Sequence, residues 1–487
     1  MKWRHRFALA AILALYFVLR LPWVGHLLTW DEAMNLLSVR ALAAQGGDLY
    51  SSYIWHHPPL LPLLLLAVQP LRAGFAERAE VVAIFIGAVN VLALFFLVKR
   101  TSREGVVGVA LWAAFFLAVM PGAMFYDTWI KRDVLAAVFG LVALLLFIER
   151  WDMLSGAALG LAFLSKETAA FYAIAIFLLW LARRSNRRVV DLAVCAGTTV
   201  LVAGWWYVAF SGSVHYFVAF VGDLKTIQTG VQIWTRPWHY YLLKLMVNLG
   251  VLGVILCLVG VTAQAATWAK RGGSGQYLWP LFLAVPGYVI LSVAKAKAPW
   301  FTTALFPALA ALQGIGAYAA LQGMMNLRRA FVPVAAIGLA LAVFFVAQAW
   351  GRDYEQSMRE QDEPIWWGCT ASRQAAVELR SCMTEGQKAL ITPMHYWDAR
   401  DVDPCPIFVY YLGDLPVLVR PYGLTADELV DAVKTYRLDW AMVSPMPGDG
   451  EKKLIEPLAK KYKIEPAVLK GAFILKTDSI YRGKRRR

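Results

Sequence analysis

Charge is what this sequence has least of: 17% of its 487 residues are charged, where a soluble globular chain carries about a quarter. The deficit is mostly acidic, with 33 Asp and Glu against 48 Lys and Arg. Such a surplus can signal nucleic acid, but much of it lies in short loops between apolar blocks, so membrane topology explains it better. No nucleic-acid partner is expected. Cysteine is also sparse, and the five present show no metal-binding spacing. Cys195 and Cys257 fall inside apolar blocks and read as packing residues. Cys369, Cys382 and Cys405 lie in a polar tail, where a disulfide requires export of that tail. There is no internal repeat and, apart from the basic end Arg482–Arg487, no long low-complexity tract.

What the chain has instead is apolar surface, 59% of its residues, gathered into blocks up to Trp350. A block of about 20 residues suffices for a spanning helix. Helices are predicted near 7–24, 79–98, 104–124, 133–149, 154–165, 168–183, 189–210, 240–268, 278–295, 299–322 and 330–350. The fold class is therefore a polytopic α-helical membrane protein of roughly eleven spans, residues 1–350, with a soluble domain at 351–487. The first block follows Lys2, Arg4 and Arg6 but has no small-residue cleavage site after it, and reads as a retained anchor.

The positive-inside rule sets the sides. The basic loops at Lys99–Arg103, Arg183–Arg188, Lys270-Arg271 and Arg328-Arg329 all fall on the side of the N-terminus, which is cytoplasmic. Loops 25–78, 125–132, 211–239 and 295–298, together with the tail, are then external. Pro58–Leu71 is apolar but short and holds four prolines. Counting it as a span would reverse every later basic loop, so it is predicted to lie against the outer face. In the tail, Lys388–Pro393, Ile407–Leu412, Pro416–Arg420, Asp439–Pro445 and Ala472–Lys476 read as strands. Thr425–Glu428 is a capping box opening a helix to about Tyr436, and Glu451–Tyr462 reads as a further helix. The tail is a small α/β domain.

An ionisable group at bilayer depth costs about 2.5–3.5 kcal/mol on insertion scales, so charges near the external face are the informative ones. The first cluster is Trp30-Asp31-Glu32, followed by Trp55-His56-His57-Pro58-Pro59-Leu60. Asp31 stands where a helix through about Gln45 begins, and there the backbone N–H groups hold a carboxylate ionised. Such a group can accept a proton from a sugar hydroxyl, ligate a metal, or simply cap the helix. His56 is a candidate ligand, and a divalent metal at Asp31 and His56 is compatible with the sequence without being required; no other cofactor is called for. The second cluster is Tyr126–Asp133, where Lys131 and Arg132 side by side suit a phosphate and Asp133 can orient the arginine or the acceptor. Its alternative is an interfacial anchor of belt aromatics and snorkelling cations. The third joins Lys166-Glu167 to the short outer turn holding Lys295 and Lys297. Lysines in external turns run against the positive-inside trend, and a lipid phosphate explains them; pairing of Lys166 with Glu167 is the simpler alternative. Trp205, Trp206, Trp234, Trp238, Tyr240 and Tyr241 read mostly as belt residues.

An acidic pair after the first span, Asp31-Glu32, and the box His57-Pro58-Pro59-Leu60 together resemble the protein O-mannosyltransferases and the related lipid A aminoarabinose transferases, which share the GT-C membrane fold. The likeness continues through Arg132-Asp133 and Gly160–Lys166, and ends near Lys297–Pro307. It implies an inverting glycosyltransferase that takes its sugar from a polyprenyl-phosphate carrier. Asp31 then acts at the acceptor and Asp133 as the second acidic residue. Glu32, His56, His57 and Glu167 are further substrate-binding candidates, while Lys131, Arg132, Lys166, Lys295 and Lys297 hold the lipid phosphate. Where the aminoarabinose transferases have a lysine-containing box this chain has His56-His57-Pro58-Pro59, which weakens a lipid A acceptor. The tail lacks the repeated sugar-binding insert of the eukaryotic enzymes, which weakens a protein acceptor. The acceptor therefore remains a lipid, glycan or protein. The competing classes are a lipid-linked sugar transporter, which calls for mid-span charges and symmetric halves, and a non-catalytic glycolipid-binding protein, which has no need of Asp31.

Overall fold

The computed structural model describes residues 2–26, 28–44, 58–69, 74–102, 107–182, 188–209, 237–271, 275–294, 297, 299–325, 338, 340, 363–384, 386–391, 410–411, 417–419, 425–443, 450–462, 467–469 and 472–477. The chain divides into two compact units, one of Met1–His26, Ser38–Thr226 and Trp234–Met358, the other of Leu27–Leu37, Ile227–Ile233 and Arg359–Arg487.

The first unit is helical. Its elements are α1 (Trp3–Arg20), the later part of α2 (Trp30–Ala44), α3 (Leu60–Leu66), α4 (Phe75–Thr101), α5 (Val107–Val119), α6 (Pro121–Tyr126), α7 (Arg132–Ile148) and α8 (Asp152–Ser165). After these come α9 (Ala170–Ala182), α10 (Val189–Ala209), α11 (Tyr240–Arg271), α12 (Trp279–Val293) and α13 (Phe306–Met325). Among the described residues, six helical stretches are long and apolar enough to cross a membrane: Trp3–Trp23, Phe75–Thr101, Val189–Ala209, Tyr240–Ala269, Gly275–Val293 and Trp300–Gly323. The other expected spans within those residues are shorter. Helix α8, with 14 residues, is about 21 Å long against a hydrocarbon core of about 30 Å. The expected span at 330–350 lies almost wholly outside the described residues.

Three local features depart from a simple row of rods, and each has a cause in the sequence. The block predicted at 104–124 breaks into α5 and α6, because Met120 precedes Pro121 and takes ψ 124, as ring sterics require of a residue before proline. Helix α11 breaks at Gly250, whose φ 70 and ψ 162 belong to a region essentially open only to glycine. Among the described residues of Pro58–Leu71 the helix is the seven-residue α3, about 10 Å long and too short to span. Where long helices meet, small residues allow the approach. A Cβ on Gly260 would lie 2.0 Å from the Leu312 carbonyl, and one on Gly316 would lie 2.0 Å from that of Leu256. That close seam binds α11 to α13.

Helices α7 and α8 form a tight hairpin through Arg150, which adopts the left-handed φ of 68. This turn decides the position of the site, because it returns the end of α8 to the level at which α7 begins. A buried network ties α1 to the stretch before α7. Arg20 donates to Asp127 Oδ2 at 3.0 Å and to the Ala118 carbonyl at 2.7 Å, while the Tyr16 hydroxyl donates to the same carboxylate at 3.1 Å.

The second unit contains α14 (Glu363–Cys382), α15 (Ala426–Tyr436), α16 (Gly450–Tyr462) and a five-stranded sheet. Its strands are β1 (Ala389–Ile391), β2 (Val417–Val419), β3 (Trp440–Val443), β4 (Ala467–Leu469) and β5 (Ala472–Lys476), in the order β2-β1-β3-β5-β4. The pairs β1–β2 and β1–β3 are parallel, and the two made by β5 are antiparallel. Leu429, Val430 and Val433 of α15 meet Leu390, Ala441 and Leu475 of the sheet in one core. The Thr425 capping box forms as expected, with Glu428 N–H donating to Thr425 and Thr425 N–H donating back to the Glu428 carboxylate. Two expectations change: Tyr410-Tyr411, inside the predicted strand 407–412, are helical, and β4 and α14 are additional elements. Cys382 is a free thiol.

Candidate functional site

The α7–α8 hairpin gathers the second and third clusters in the first unit. Lys131 is the extended residue before α7, with ψ 149, and Arg132 and Asp133 occupy its first turn. Lys166 is the extended residue that ends α8, at φ −163 and ψ 152, and Glu167 opens a short 3-10 turn. The hairpin brings Lys166 Nζ to 2.7 Å from Asp133 Oδ2. Lys166 therefore pairs across 33 residues of sequence, and the simpler pairing with its neighbour Glu167 is not the one that forms. The other oxygen, Asp133 Oδ1, is buried without a hydrogen-bond partner among the described residues.

Lys131 and Arg132 are buried as well, at 5% and 6% exposure, and Trp129 beside them at 4%. Snorkelling cations at an interface would be exposed, so the interfacial-anchor reading of this segment fails. A 3-10 segment, Pro299–Leu305, supplies the other wall. Lys131 Nζ sits 3.5 Å from the centroid of the Trp300 ring and 4.5 Å from that of Trp129, and Lys166 Nζ lies 5.6 Å from the Phe301 ring. Lys297, three residues before Trp300, is buried and donates to the Ala294 carbonyl. Burial lowers its pKa below the ordinary lysine value.

Asp31 and Glu32 lie in the first turn of α2, in the part that belongs to the second unit. Capping there falls to Glu32, which accepts from both the backbone N–H and the hydroxyl of Thr29 at 2.8 Å. Thr29-Trp30-Asp31-Glu32 has the Thr-x-x-Glu spacing of a capping box, a sequence signal that points to Glu32 rather than Asp31 as the capping carboxylate. Glu32 is fully buried and Asp31 partly exposed. His56, His57 and Lys295 lie outside the described residues. Among the described residues no three His, Cys, Asp or Glu side chains come together as metal ligands, so a metal site at Asp31 is not assembled within them.

The tryptophans and tyrosines divide. Trp205 and Trp238 are exposed at 43% and 66%, as belt residues are, whereas Trp206 and Tyr241 are fully buried and pack the interior. Trp234 lies outside the described residues. The buried pair Arg20–Asp127 has no signal in the sequence, because its partners are 107 residues apart.

Fold and site together define a class: a multi-pass helical membrane protein with buried cations collected at one end of an interhelical hairpin. The particular likenesses sharpen it. The family model described as dolichyl-phosphate-mannose-protein mannosyltransferase matches residues 56–207. No curated protein matches the sequence. Among solved structures, ArnT from Cupriavidus metallidurans bound to undecaprenyl phosphate superposes with TM-score 0.63 at 16% identity, covering 96% of this chain and 97% of that one. The archaeal oligosaccharyltransferase AglB from Archaeoglobus fulgidus, in complex with an inhibitory peptide and a dolichol-phosphate, gives 0.62 at 13% identity, covering 95% of this chain and 72% of that one. The chain has the GT-C fold of these membrane glycosyltransferases.

Proposed function

We propose that this chain is an inverting glycosyltransferase that moves a sugar from a polyprenyl-phosphate carrier to an acceptor on the extracytoplasmic face of the cell's inner membrane. The observation that carries the reading is the gathering of buried Lys131 and Arg132 and half-buried Lys166 at the end of the α7–α8 hairpin, with Asp133 and Glu167 as the acidic residues there and buried Lys297 two residues before the Pro299–Leu305 segment. Cations are expensive to bury in a membrane protein, and where they are found there they commonly mark a ligand or ion site. A lipid phosphate is the anion a bilayer delivers to that depth. Two similarly folded proteins are bound to undecaprenyl phosphate and to dolichol-phosphate, which supports the same donor class here.

In the reaction, an acceptor hydroxyl oxygen attacks C1 of the sugar from the side opposite the phosphate. The C1–O bond to phosphate breaks, its electron pair leaves with the polyprenyl phosphate, and the hydroxyl proton passes to Asp31. The departing phosphate gains negative charge as the bond breaks, so cations held around it bind the transition state more strongly than the ground state. Lys131, Arg132, Lys166, Lys295 and Lys297 are the residues assigned to this role. Asp133 acts through Lys166, whose ammonium it fixes. Capping by Thr29 and Glu32 sets the helix that carries Asp31, and His56, His57 and Glu167 contact substrate. About eleven spans, a cytoplasmic N-terminus and a soluble extracytoplasmic α/β domain at 351–487 complete the architecture. The acceptor is a lipid, glycan or protein. The test is transfer from a synthetic polyprenyl-phosphate sugar by Asp31→Asn, expected to fall about 10²- to 10⁴-fold, the range lost with a general base. Full activity in a well-folded variant removes Asp31 from the mechanism.

A further inference from the structure

The 3-10 segment Pro299–Leu305 presents two consecutive aromatic rings to two lysines of the α7–α8 hairpin. Trp300 meets Lys131 at 3.5 Å and Phe301 meets Lys166 at 5.6 Å. Behind the rings the segment is fastened at two points. The Tyr172 hydroxyl of α9 donates to the Ala304 carbonyl at 2.7 Å, and the Asn248 amide of α11 donates to Thr302 at 3.3 Å. Asn248 and Thr302 are fully buried, and so is Tyr172. Polar links of this kind inside a membrane bundle hold their elements in place against an apolar surrounding that offers no competing partner.

Such fastening is more than packing requires of a turn between two helices. It holds the backbone that carries the rings, and a cation–π contact is worth most when the cation is desolvated. Lys131 is desolvated, at 5% exposure, and its ammonium lies over the rings of both Trp129 and Trp300. An indole face attracts an ammonium and favours one position for it. A long, flexible side chain is thereby given one position before any ligand arrives.

We propose that Trp300 is a positioning residue for Lys131, holding its ammonium by the indole face so that it meets the donor phosphate in a preset place. This rests on the reading of the cation cluster as the lipid-phosphate site. It adds that the aromatic wall is part of the phosphate-binding machinery, and that this face of Trp300 is not a stacking surface for the sugar.

The test is equilibrium binding of undecaprenyl phosphate to the full-length protein in detergent. Trp300→Leu is expected to weaken binding by roughly 2- to 30-fold, the span of a desolvated cation–π contact. Trp300→Phe, which keeps a π face, is expected to recover most of the loss. In a Lys131→Ala background, Trp300→Leu is expected to add nothing further, because the partner it positions is gone. Equal losses in both backgrounds overturn the proposal. Stepwise fluorination of the Trp300 indole keeps its shape while draining its π face, and so serves even where the leucine variant folds poorly. Affinity is expected to decline with each fluorine, and a flat response overturns the proposal. If Lys131→Ala itself leaves undecaprenyl phosphate affinity unchanged in folded protein, the phosphate-site reading falls, and Trp300's role falls with it. That outcome is distinguishable from a failure confined to Trp300.

Discussion

Replacing Asp133 with Asn deprives Lys166 of its carboxylate partner. The pair is close, 2.7 Å, and shielded, with side-chain exposures of 1% for Asp133 and 11% for Lys166. At an effective dielectric of about 20, two unit charges at that distance attract by about 6 kcal/mol. Desolvation of both groups offsets most of this, so the pair as a whole contributes little net stability. Removing one partner is different, because the cost of burying the other remains. Losses of about 3–5 kcal/mol are typical of such deletions, and the partial exposure of Lys166 places this one near the lower end. The assay is thermal unfolding of the detergent-solubilised protein for Asp133→Asn, Lys166→Met and the double variant. Asp133→Asn is expected to melt well below the parent, and Lys166→Met added to it is expected to restore most of the loss. If the single variant melts with the parent, or the double melts no higher than the single, the buried-pair reasoning is refuted.

Breaking the α2 cap with Thr29→Ala is expected to cost about 1 kcal/mol of stability, measured by the same melts, since the hydroxyl bond to Glu32 is lost. Asp31→Asn should leave stability near that of the parent while transfer collapses, a split that separates the base from the cap. Glu428 has its pKa lowered from the ordinary 4.5 by the backbone N–H and hydroxyl of Thr425. A carboxylate with a depressed folded-state pKa stabilises fully above its unfolded value and loses that contribution as pH falls through the folded one. The helical signal of the second unit should therefore weaken with acid below about pH 4.5, and Thr425→Ala should flatten that part of the titration. Gly316→Val should prevent normal assembly of α11 on α13, read as loss of folded protein in detergent, because a Cβ there meets the Leu256 carbonyl at 2.0 Å.

The helices were legible because spanning segments announce themselves by length and hydropathy, and their observed bounds fall within a few residues of the predicted ones over most of the described chain. The exceptions lie where backbone chemistry overrules hydropathy. Pro121 ends α5 early, and Gly250 breaks α11 without any change in apolar character. In the site, the charged residues could be picked out one at a time by their position near the external face. Their pairing could not, because Lys166 reaches Asp133 only through the hairpin that Arg150 closes. Nor did the sequence show that Trp300 would face Lys131 rather than lipid, since an aromatic beside a span reads first as a belt residue.

The most direct measurement compares binding of undecaprenyl phosphate and undecaprenol, which differ only in the phosphate, by native mass spectrometry of the purified full-length protein. The account expects the phosphate to bind saturably and the alcohol hardly at all. It further expects Lys131→Ala combined with Arg132→Ala to abolish the difference between them. Equal binding of the two lipids, or a preference that survives in the double variant, would contradict it.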